Sequence, residues 1–225
     1  MPGIVEQIDS LAALHEPVRR ALYAYVAGRD GPASRDAAAR AVGISRALAA
    51  FHLDKLVAAG LLDASYRRPT GKKGPGAGRP AKLYRRAARQ LDVTVPARRY
   101  ELAGRLLVRT LARHAPPATK SALRREARRL GREIGREQRE RSKSGRVEGL
   151  LRECGYEPAR SADGVVRMKN CPFHALQQDQ RELTCGMNLA LIRGMLDGLD
   201  ARGVTATPES RPGFCCVALR TGRAT

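Results

Sequence analysis

The chain has 225 residues and is strongly basic, with 42 Lys and Arg against 22 Asp and Glu and a formal net charge of +20, which favours a polyanionic partner. Only 4% of the residues are aromatic, which argues against single-strand binding by base stacking. The sequence has no signal-peptide pattern and no apolar run near the roughly 20 residues that a membrane span needs, so it predicts a cytoplasmic protein with no membrane partner.

The first predicted helix runs from Ile8 to Val26. Its packing stripe consists of apolar residues at helical spacing, namely Leu11, Leu14, Val18 and Leu22. A shorter helix pattern, Ser34 to Val42, follows.

A tight turn at Gly43 and Ile44 joins that short helix to a second one, which runs from Ser45 to Gly60. Ser34 and Ser45 are placed to cap the two helix starts. Strand patterns at residues 61–68 and 81–86 come next. The order predicts a winged helix-turn-helix, in which the second helix enters the DNA major groove. An ordinary helical hairpin is the alternative, and the basic ribbon that follows the hairpin disfavours it.

The candidate DNA-contacting residues lie on the second helix and the wing. On the helix they are Ser45, Arg46, Leu48, His52 and Lys55. On the wing they are Arg67, Arg68, Lys72, Lys73, Arg79 and Lys82. The helix has few side chains that read base edges, so we expect much of the affinity to come from phosphates and groove shape. A solvated charged loop is the alternative for the wing, and a packed core histidine is the alternative for His52.

The middle of the chain predicts helices from Pro96 to Arg113 and from Thr119 to Arg141. The second carries apolar residues at 4-3-4 spacing, namely Leu123, Ala127, Leu130 and Ile134. Such a seam is typical of helices that pair with a second copy, so the sequence predicts a homodimer. We interpret the surrounding arginines as a solvated helix face rather than a contact with DNA flanks.

The C-terminal part predicts a small α+β domain. Its helices are residues 147–154 and 182–199, and its four antiparallel strands are residues 157–160, 165–170, 204–207 and 214–219. Together these patterns predict a mixed α and α+β fold. The expected domains are a DNA-binding domain at 1–95, a helical dimerisation region at 96–145 and a cysteine-containing domain at 146–225. Net charges of +8, +10 and +2 over residues 1–92, 93–145 and 146–225 agree with separate roles.

Five cysteines, an odd number, argue for metal or redox chemistry rather than a disulfide framework. The candidate ligands are Cys171, Cys185 and Cys215, with His174 and Cys216 as further candidates. Adjacent strand residues point to opposite faces, so we expect Cys215 and Cys216 not to share one site. Three thiolates suit an iron–sulfur cluster, and three with a histidine suit zinc. Buried structural cysteines are the alternative, and Cys154 is assigned to it.

Three segments of the chain carry a family resemblance. They are the helix-turn-helix run Gly43-Ile-Ser-Arg with Phe51-His-Leu-Asp-Lys-Leu, the wing Gly76-Ala-Gly-Arg-Pro-Ala-Lys-Leu-Tyr84, and the tail Cys171-Pro-Phe-His with Cys185 and Cys215. They resemble SufR-type regulators, winged-helix repressors related to the ArsR and DeoR groups that control iron–sulfur assembly operons. The resemblance implies a dimer in which Cys171, Cys185 and Cys215 hold an iron–sulfur cluster.

The sequence as a whole therefore predicts a dimeric repressor that binds double-stranded DNA and senses a cluster, and no enzymatic activity. The first alternative is a winged-helix regulator with structural zinc or a small-ligand site. The second is a thiol redox enzyme fused to a DNA anchor. It is disfavoured because the sequence has no Cys-x-x-Cys pair and no pairing of a nucleophile with a base.

Overall fold

The computed structural model describes residues 4–67, 80–91, 93, 99–141 and 147–221. The chain forms two compact units, an N-terminal unit (Met1–Arg98) and a C-terminal unit (Arg99–Thr225). The helices expected to form a separate dimerisation region at 96–145 belong to the C-terminal unit. The predicted fold class, mixed helices with antiparallel sheets, is confirmed.

The N-terminal unit begins with α1 (Ile4–Ala12) and α2 (Pro17–Ala27), so the prediction of one helix from Ile8 to Val26 was wrong. Pro17 explains the break, because proline lacks an N–H and its ring clashes with a preceding helical turn. At the start of α2 that missing N–H costs nothing. The Glu16 carboxylate caps α2 by accepting from the backbone N–H groups of Val18 at 3.0 Å and Arg19 at 2.7 Å.

The winged helix-turn-helix follows, with its two helices and two wing strands in the predicted order after a short first strand that was not predicted. These are β1 (Ala33–Ser34), α3 (Arg35–Val42), α4 (Arg46–Ala58), β2 (Leu62–Arg67) and β3 (Ala81–Arg86). The Ser34 and Ser45 hydroxyls each accept a backbone N–H at 3.2 Å, as the capping pattern predicted. Gly43 ends α3 in the left-handed conformation at φ 73°, which favours glycine. The strands are antiparallel in the order β1-β3-β2.

One face of α4 is anchored in the core of the N-terminal unit. Ala49, Leu53 and Leu56 are fully buried, and their i, i+4, i+7 spacing places them on one face of the helix. Leu22 from α2 and Tyr84 from β3 are fully buried in the same cluster. Burying each large apolar side chain is worth about 1.5–3 kcal/mol, so α4 is held firmly with its opposite face open.

The C-terminal unit combines helices with one sheet. Its elements are α5 (Tyr100–His114), α6 (Pro117–Arg141), α7 (Val147–Glu153), β4 (Pro158–Arg160), β5 (Val166–Met168), α8 (His174–Asp179), α9 (Arg181–Leu199), β6 (Val204–Pro208) and β7 (Val217–Thr221). The four strands form the predicted antiparallel sheet, in the order β4-β5-β7-β6. The short helix α8 was not predicted.

Helices α6 and α9 pack with their backbones in contact. A Cβ atom added to Gly131 of α6 would lie 2.1 Å from the carbonyl oxygen of Leu191, and one added to Gly194 of α9 would lie 2.2 Å from that of Arg128. Ala127 and Ile134 of the predicted dimer seam join this core. These two seam residues therefore pack inside the chain, whereas Leu130 of the same seam is 48% exposed.

Candidate DNA interface and thiol cluster

The face of α4 that points away from the core carries an apolar pair flanked by basic residues. Leu48 is 41% exposed and Phe51 is 55% exposed. The Lys55 ammonium lies 5.7 Å from the centre of the Phe51 ring, and Arg46 forms an exposed ion pair with Asp36 at 2.7 Å. Phe51 was not among the predicted contacts, although its spacing from Leu48 indicated the same face. Apolar side chains so placed contact thymine methyl groups in a major groove.

His52 does not belong to this open face. It is only 8% exposed, and its Nδ1 atom lies 3.7 Å from the Glu16 carboxylate of α2 without a hydrogen bond. This burial favours the alternative interpretation of His52, a packed core histidine, over a contact with DNA. The neighbouring residues Leu53 and Leu56 point into the core, and the helical turn carries His52 inward with them.

Lys82 was predicted as a wing cation, and in the structure it lies next to the second helix. Its ammonium donates to the Asp54 carboxylate at 2.7 Å, and the Tyr84 hydroxyl donates to the same oxygen at 2.7 Å. Arg35 of α3 donates to the Tyr84 hydroxyl at 3.1 Å. Burial acts to raise the pKa of Asp54, but the bonds from Lys82 and Tyr84 outweigh it and lower that pKa. This network ties α3, α4 and β3 together.

Of the remaining wing candidates, Arg67 ends β2 and is exposed. Arg68, Lys72, Lys73 and Arg79 lie outside the described residues, so their contribution to DNA binding stays a prediction.

The predicted metal ligands of the C-terminal unit come from separate segments. Cys171 precedes α8, Cys185 lies on α9, and Cys215 and Cys216 immediately precede β7. The predicted strand at 214–219 in fact begins at Val217. The expectation that Cys215 and Cys216 serve different sites stays a prediction, although both sulfurs lie within 4.0 Å of Nδ2 of Asn188.

The thiols of Cys171, Cys185, Cys215 and Cys216 lie close enough together to shift one another's pKa, and we call them the thiol cluster. Cys215 interacts with Cys171 and with Cys216, and Cys216 interacts with Cys185. The buried amide of Asn188 on α9 lies beside them, with Nδ2 at 3.3 Å from the sulfur of Cys215. The same Nδ2 lies 3.9 Å and 4.0 Å from the sulfurs of Cys171 and Cys216.

Asn188 is itself held in place. It is fully buried, and its Oδ1 accepts from the hydroxyl of the buried Tyr156 at 2.5 Å. With Oδ1 occupied by that donor, the NH₂ group must face the sulfurs. Sequence reasoning missed this pair, because neither residue belongs to a local motif.

The thiols differ in their acidity. The hydrogen bond from Cys215 lowers the pKa of Cys171, so Cys171 is the first of the four to become a thiolate. The same bond raises the pKa of Cys215 to about 11, and burial raises that of Cys185 to about 12. The pKa of Cys216 is also raised, chiefly by its bond with Cys215.

The other candidates stand apart from the thiol cluster. His174 is exposed and its ring nitrogen Nε2 lies 3.0 Å from Gln178. Cys154 packs against the core, and burial raises its pKa, as expected for a structural thiol. Within the described residues, no group of three or more His, Cys, Asp or Glu side chains is arranged to hold a metal ion.

Comparison with known proteins identifies the N-terminal motif. Residues 14–63 match a family model described as a helix-turn-helix domain, a range that runs from the end of α1 to the start of β2. A search of curated proteins and a search of solved structures each gave no match. In the parts of the chain that the structure describes, no helix is long and apolar enough to cross a membrane. The helix-turn-helix domain supports a DNA-binding transcriptional regulator, a class that is generally not enzymatic.

Proposed function

We propose that this chain is a transcriptional repressor whose affinity for double-stranded DNA is controlled by an iron–sulfur cluster in its C-terminal unit. Its ligands are Cys171, Cys185 and Cys215, with Cys216 as the fourth candidate. The observation that carries the proposal is the convergence of four thiols from three segments around the buried amide of Asn188. Cytoplasmic location and the absence of catalysis stay predictions.

The donor atoms of the thiol cluster suit the proposed group, although in the described residues they are not arranged to hold a metal ion. Thiolates are the preferred ligands of iron–sulfur clusters, and N–H donors near the sulfurs tune their potentials. Cys171 is already the most acidic thiol, and the others deprotonate when a metal replaces their protons. When bound, the cluster would make the C-terminal unit sensitive to oxidants, because oxidants change its oxidation state or break it down.

Control of DNA affinity requires linkage between the two units. If bound cluster raises the affinity of the chain for DNA by some factor, then bound DNA raises the affinity of the chain for the cluster by the same factor. The exposed face of α4 supports the DNA half of this proposal, because Leu48 and Phe51 are otherwise costly to leave in water.

We also propose a homodimer. Ala127 and Ile134 of the α6 seam pack in the core, so the exposed leucines of α5 support the pairing surface: Leu102, Leu106 and Leu107 are 54%, 57% and 65% exposed. A symmetric dimer would place two copies of α4 on half-sites about one DNA turn apart. We expect Leu106→Glu to sediment as a monomer where the wild type sediments as a dimer. A monomeric wild type at micromolar concentration contradicts this part of the proposal.

The cluster is tested by anaerobic reconstitution of the full chain with iron and sulfide, followed by absorption spectroscopy and analysis of iron, sulfide and zinc. We expect the wild type to become coloured and to hold sulfide. Single Ser substitutions at Cys171, Cys185 and Cys215 should lose the colour and change affinity for a duplex selected from a random library.

Cys154→Ser is the matched control, because this cysteine packs against the same core outside the thiol cluster. It should keep both the colour and the DNA affinity. If the wild type takes up no sulfide but retains one zinc per chain, the thiols form a structural zinc site and the sensor proposal fails. If neither iron nor zinc binds, both metal-binding proposals fail, and a regulator that binds a metal-free ligand is the proposal that remains.

A further inference from the structure

An arginine-rich groove lies between α6 and α9, and neither the DNA interface nor the thiol cluster includes it. It encloses about 370 Å³. Its cationic residues are Arg124, Arg125, Arg128 and Arg193, and its floor is formed by Gly186, Leu189 and Ala190. We propose that this arginine groove binds an organic anion with an apolar chain or ring and a carboxylate or phosphate head group.

The cations of the groove fall into two pairs. Arg128 is fixed by the Asp197 carboxylate at 2.9 Å, and Arg193 donates to the carbonyl oxygen of Ala206 at 3.2 Å. Within the described parts of the chain, no carboxylate pairs with Arg124 or Arg125. Two guanidinium groups are thus available to a ligand, and their forked donors match the two oxygens of a carboxylate or phosphate.

Gly186 shapes the groove beside one of these free cations. A Cβ atom at this position would lie 3.1 Å from Nε of Arg124, tighter than an ordinary contact. The absence of a side chain at this position leaves room beside α9 for the exposed guanidinium of Arg124.

That floor decides between a small organic anion and the DNA backbone. Leu189 and Ala190 line the bottom of the groove, and they gain nothing from a hydrated phosphate backbone. A ligand with an apolar body removes this surface from water while its head group meets the arginines. The volume lies within the range of about 300–1,000 Å³ that is usual for small-ligand pockets.

The test is calorimetric titration of the full, metal-free chain with octanoate and with octyl phosphate. We expect saturable binding of one ligand per chain to at least one of them, and the preferred probe identifies the head group. Acetate and 1-octanol, which carry the charge and the apolar chain separately, should bind at least tenfold more weakly.

The double variant Arg124→Gln/Arg125→Gln should weaken binding of the preferred probe about tenfold or more, since it removes both free charged donors. Arg139→Gln, which removes an exposed charge from the same helix outside the groove, is the matched control and should bind like the wild type. Gly186→Val keeps all charges but fills the floor, and it should also weaken binding. Circular dichroism verifies that each variant is folded.

Three results would overturn the proposal. The first is that 1-octanol binds as tightly as octanoate, which would show that the groove recognises only the apolar chain and not the anionic head group. The second is equal binding by the double variant and the wild type. The third is no binding of either anion to the wild type, with the double variant losing affinity for a random duplex, which makes the groove a DNA-backbone contact. Because the protein is metal-free, none of these results depends on the iron–sulfur proposal.

Discussion

The contact between α6 and α9 predicts a loss of stability whose size can be estimated from the structure. The perturbation is Gly131→Ala, which adds one methyl group to α6. Its carbon would lie 2.1 Å from the Leu191 carbonyl oxygen and 2.9 Å from the Met195 amide nitrogen. Both atoms belong to the α9 backbone, so no side chain can turn aside and the helices must separate.

Two effects of opposite sign determine the magnitude. Replacing glycine by alanine inside a helix stabilises it by about 0.8–1 kcal/mol. Overpacking a well-packed core costs about 1–3 kcal/mol and occasionally more, and a clash with backbone belongs at the upper end. We therefore expect Gly131→Ala to lower the free energy of unfolding of the C-terminal unit by about 1–2 kcal/mol or more. With a urea dependence of about 1–3 kcal/mol per molar, the midpoint should fall by roughly 0.3–2 M.

Gly104→Ala in α5 is the matched control. Its added methyl carbon would lie 3.3 Å from Cδ2 of Leu176, a flexible side-chain end that can move by a few tenths of an ångström. The helix-propensity gain should then leave this variant as stable as the wild type or more so. The assay is urea unfolding of the full chain, followed by far-ultraviolet circular dichroism. If Gly131→Ala unfolds at the same urea concentration as Gly104→Ala, the described contact of α6 and α9 is refuted.

Three further predictions concern the two units separately. Phe51→Ala should weaken binding to a selected duplex roughly fivefold to tenfold while leaving the urea midpoint unchanged, because the ring is 55% exposed. The control Val5→Ala, at a residue that is 68% exposed, should change neither quantity. If both variants lose the same DNA affinity, Phe51 does not belong to the interface. Asp54→Asn should lower the free energy of unfolding of the N-terminal unit only at higher pH. The pKa of Asp54 is lowered in the folded state, so its stabilising contribution is fully present above the ordinary carboxylate pKa of about 3.9. That contribution is lost as the pH falls through the folded-state pKa. Urea midpoints of wild type and Asp54→Asn should therefore converge towards acid pH, and a constant difference would contradict the ion-pair network. Tyr156→Phe should destabilise the C-terminal unit by about 1–3 kcal/mol, because Oδ1 of the buried Asn188 loses its donor; an unchanged urea midpoint would show that this bond contributes nothing.

Much of the N-terminal unit could be predicted because its signals are local. The serines that cap α3 and α4 accept from residues three positions along the chain, and Gly43 supplies its turn by its own backbone conformation. The stripe of Ala49, Leu53 and Leu56 follows from the helical repeat alone. The one local signal that was overlooked, Pro17 within an apolar periodicity, divided a predicted helix in two.

The sequence predicted which residues form the candidate sites better than it predicted how those residues are arranged. The sequence pointed to Cys171, Cys185 and the Cys215–Cys216 pair as one region, but it placed the pair on a strand that begins only at Val217. In the structure both thiols lie near Asn188, with their sulfurs 3.3 Å and 4.0 Å from its Nδ2. Likewise, the pairing of Lys82 with Asp54 joins residues 28 positions apart, and no local pattern reports it.

The sequence by itself determined the element types of this protein, the capped helix-turn-helix, the basic character and the cysteine-bearing α+β domain, because caps, turns and periodicity act over a few residues. Only the tertiary structure decided what each apolar stripe packs against. The repeat in α6 specifies a face, but the close approach permitted by Gly131, Gly135, Gly194 and Gly198 selects α9 of the same chain as the partner for Ala127 and Ile134. Periodicity fixes the direction of a side chain about its own helix axis, whereas its partner depends on distant segments, and those distances are set only when the whole chain has folded.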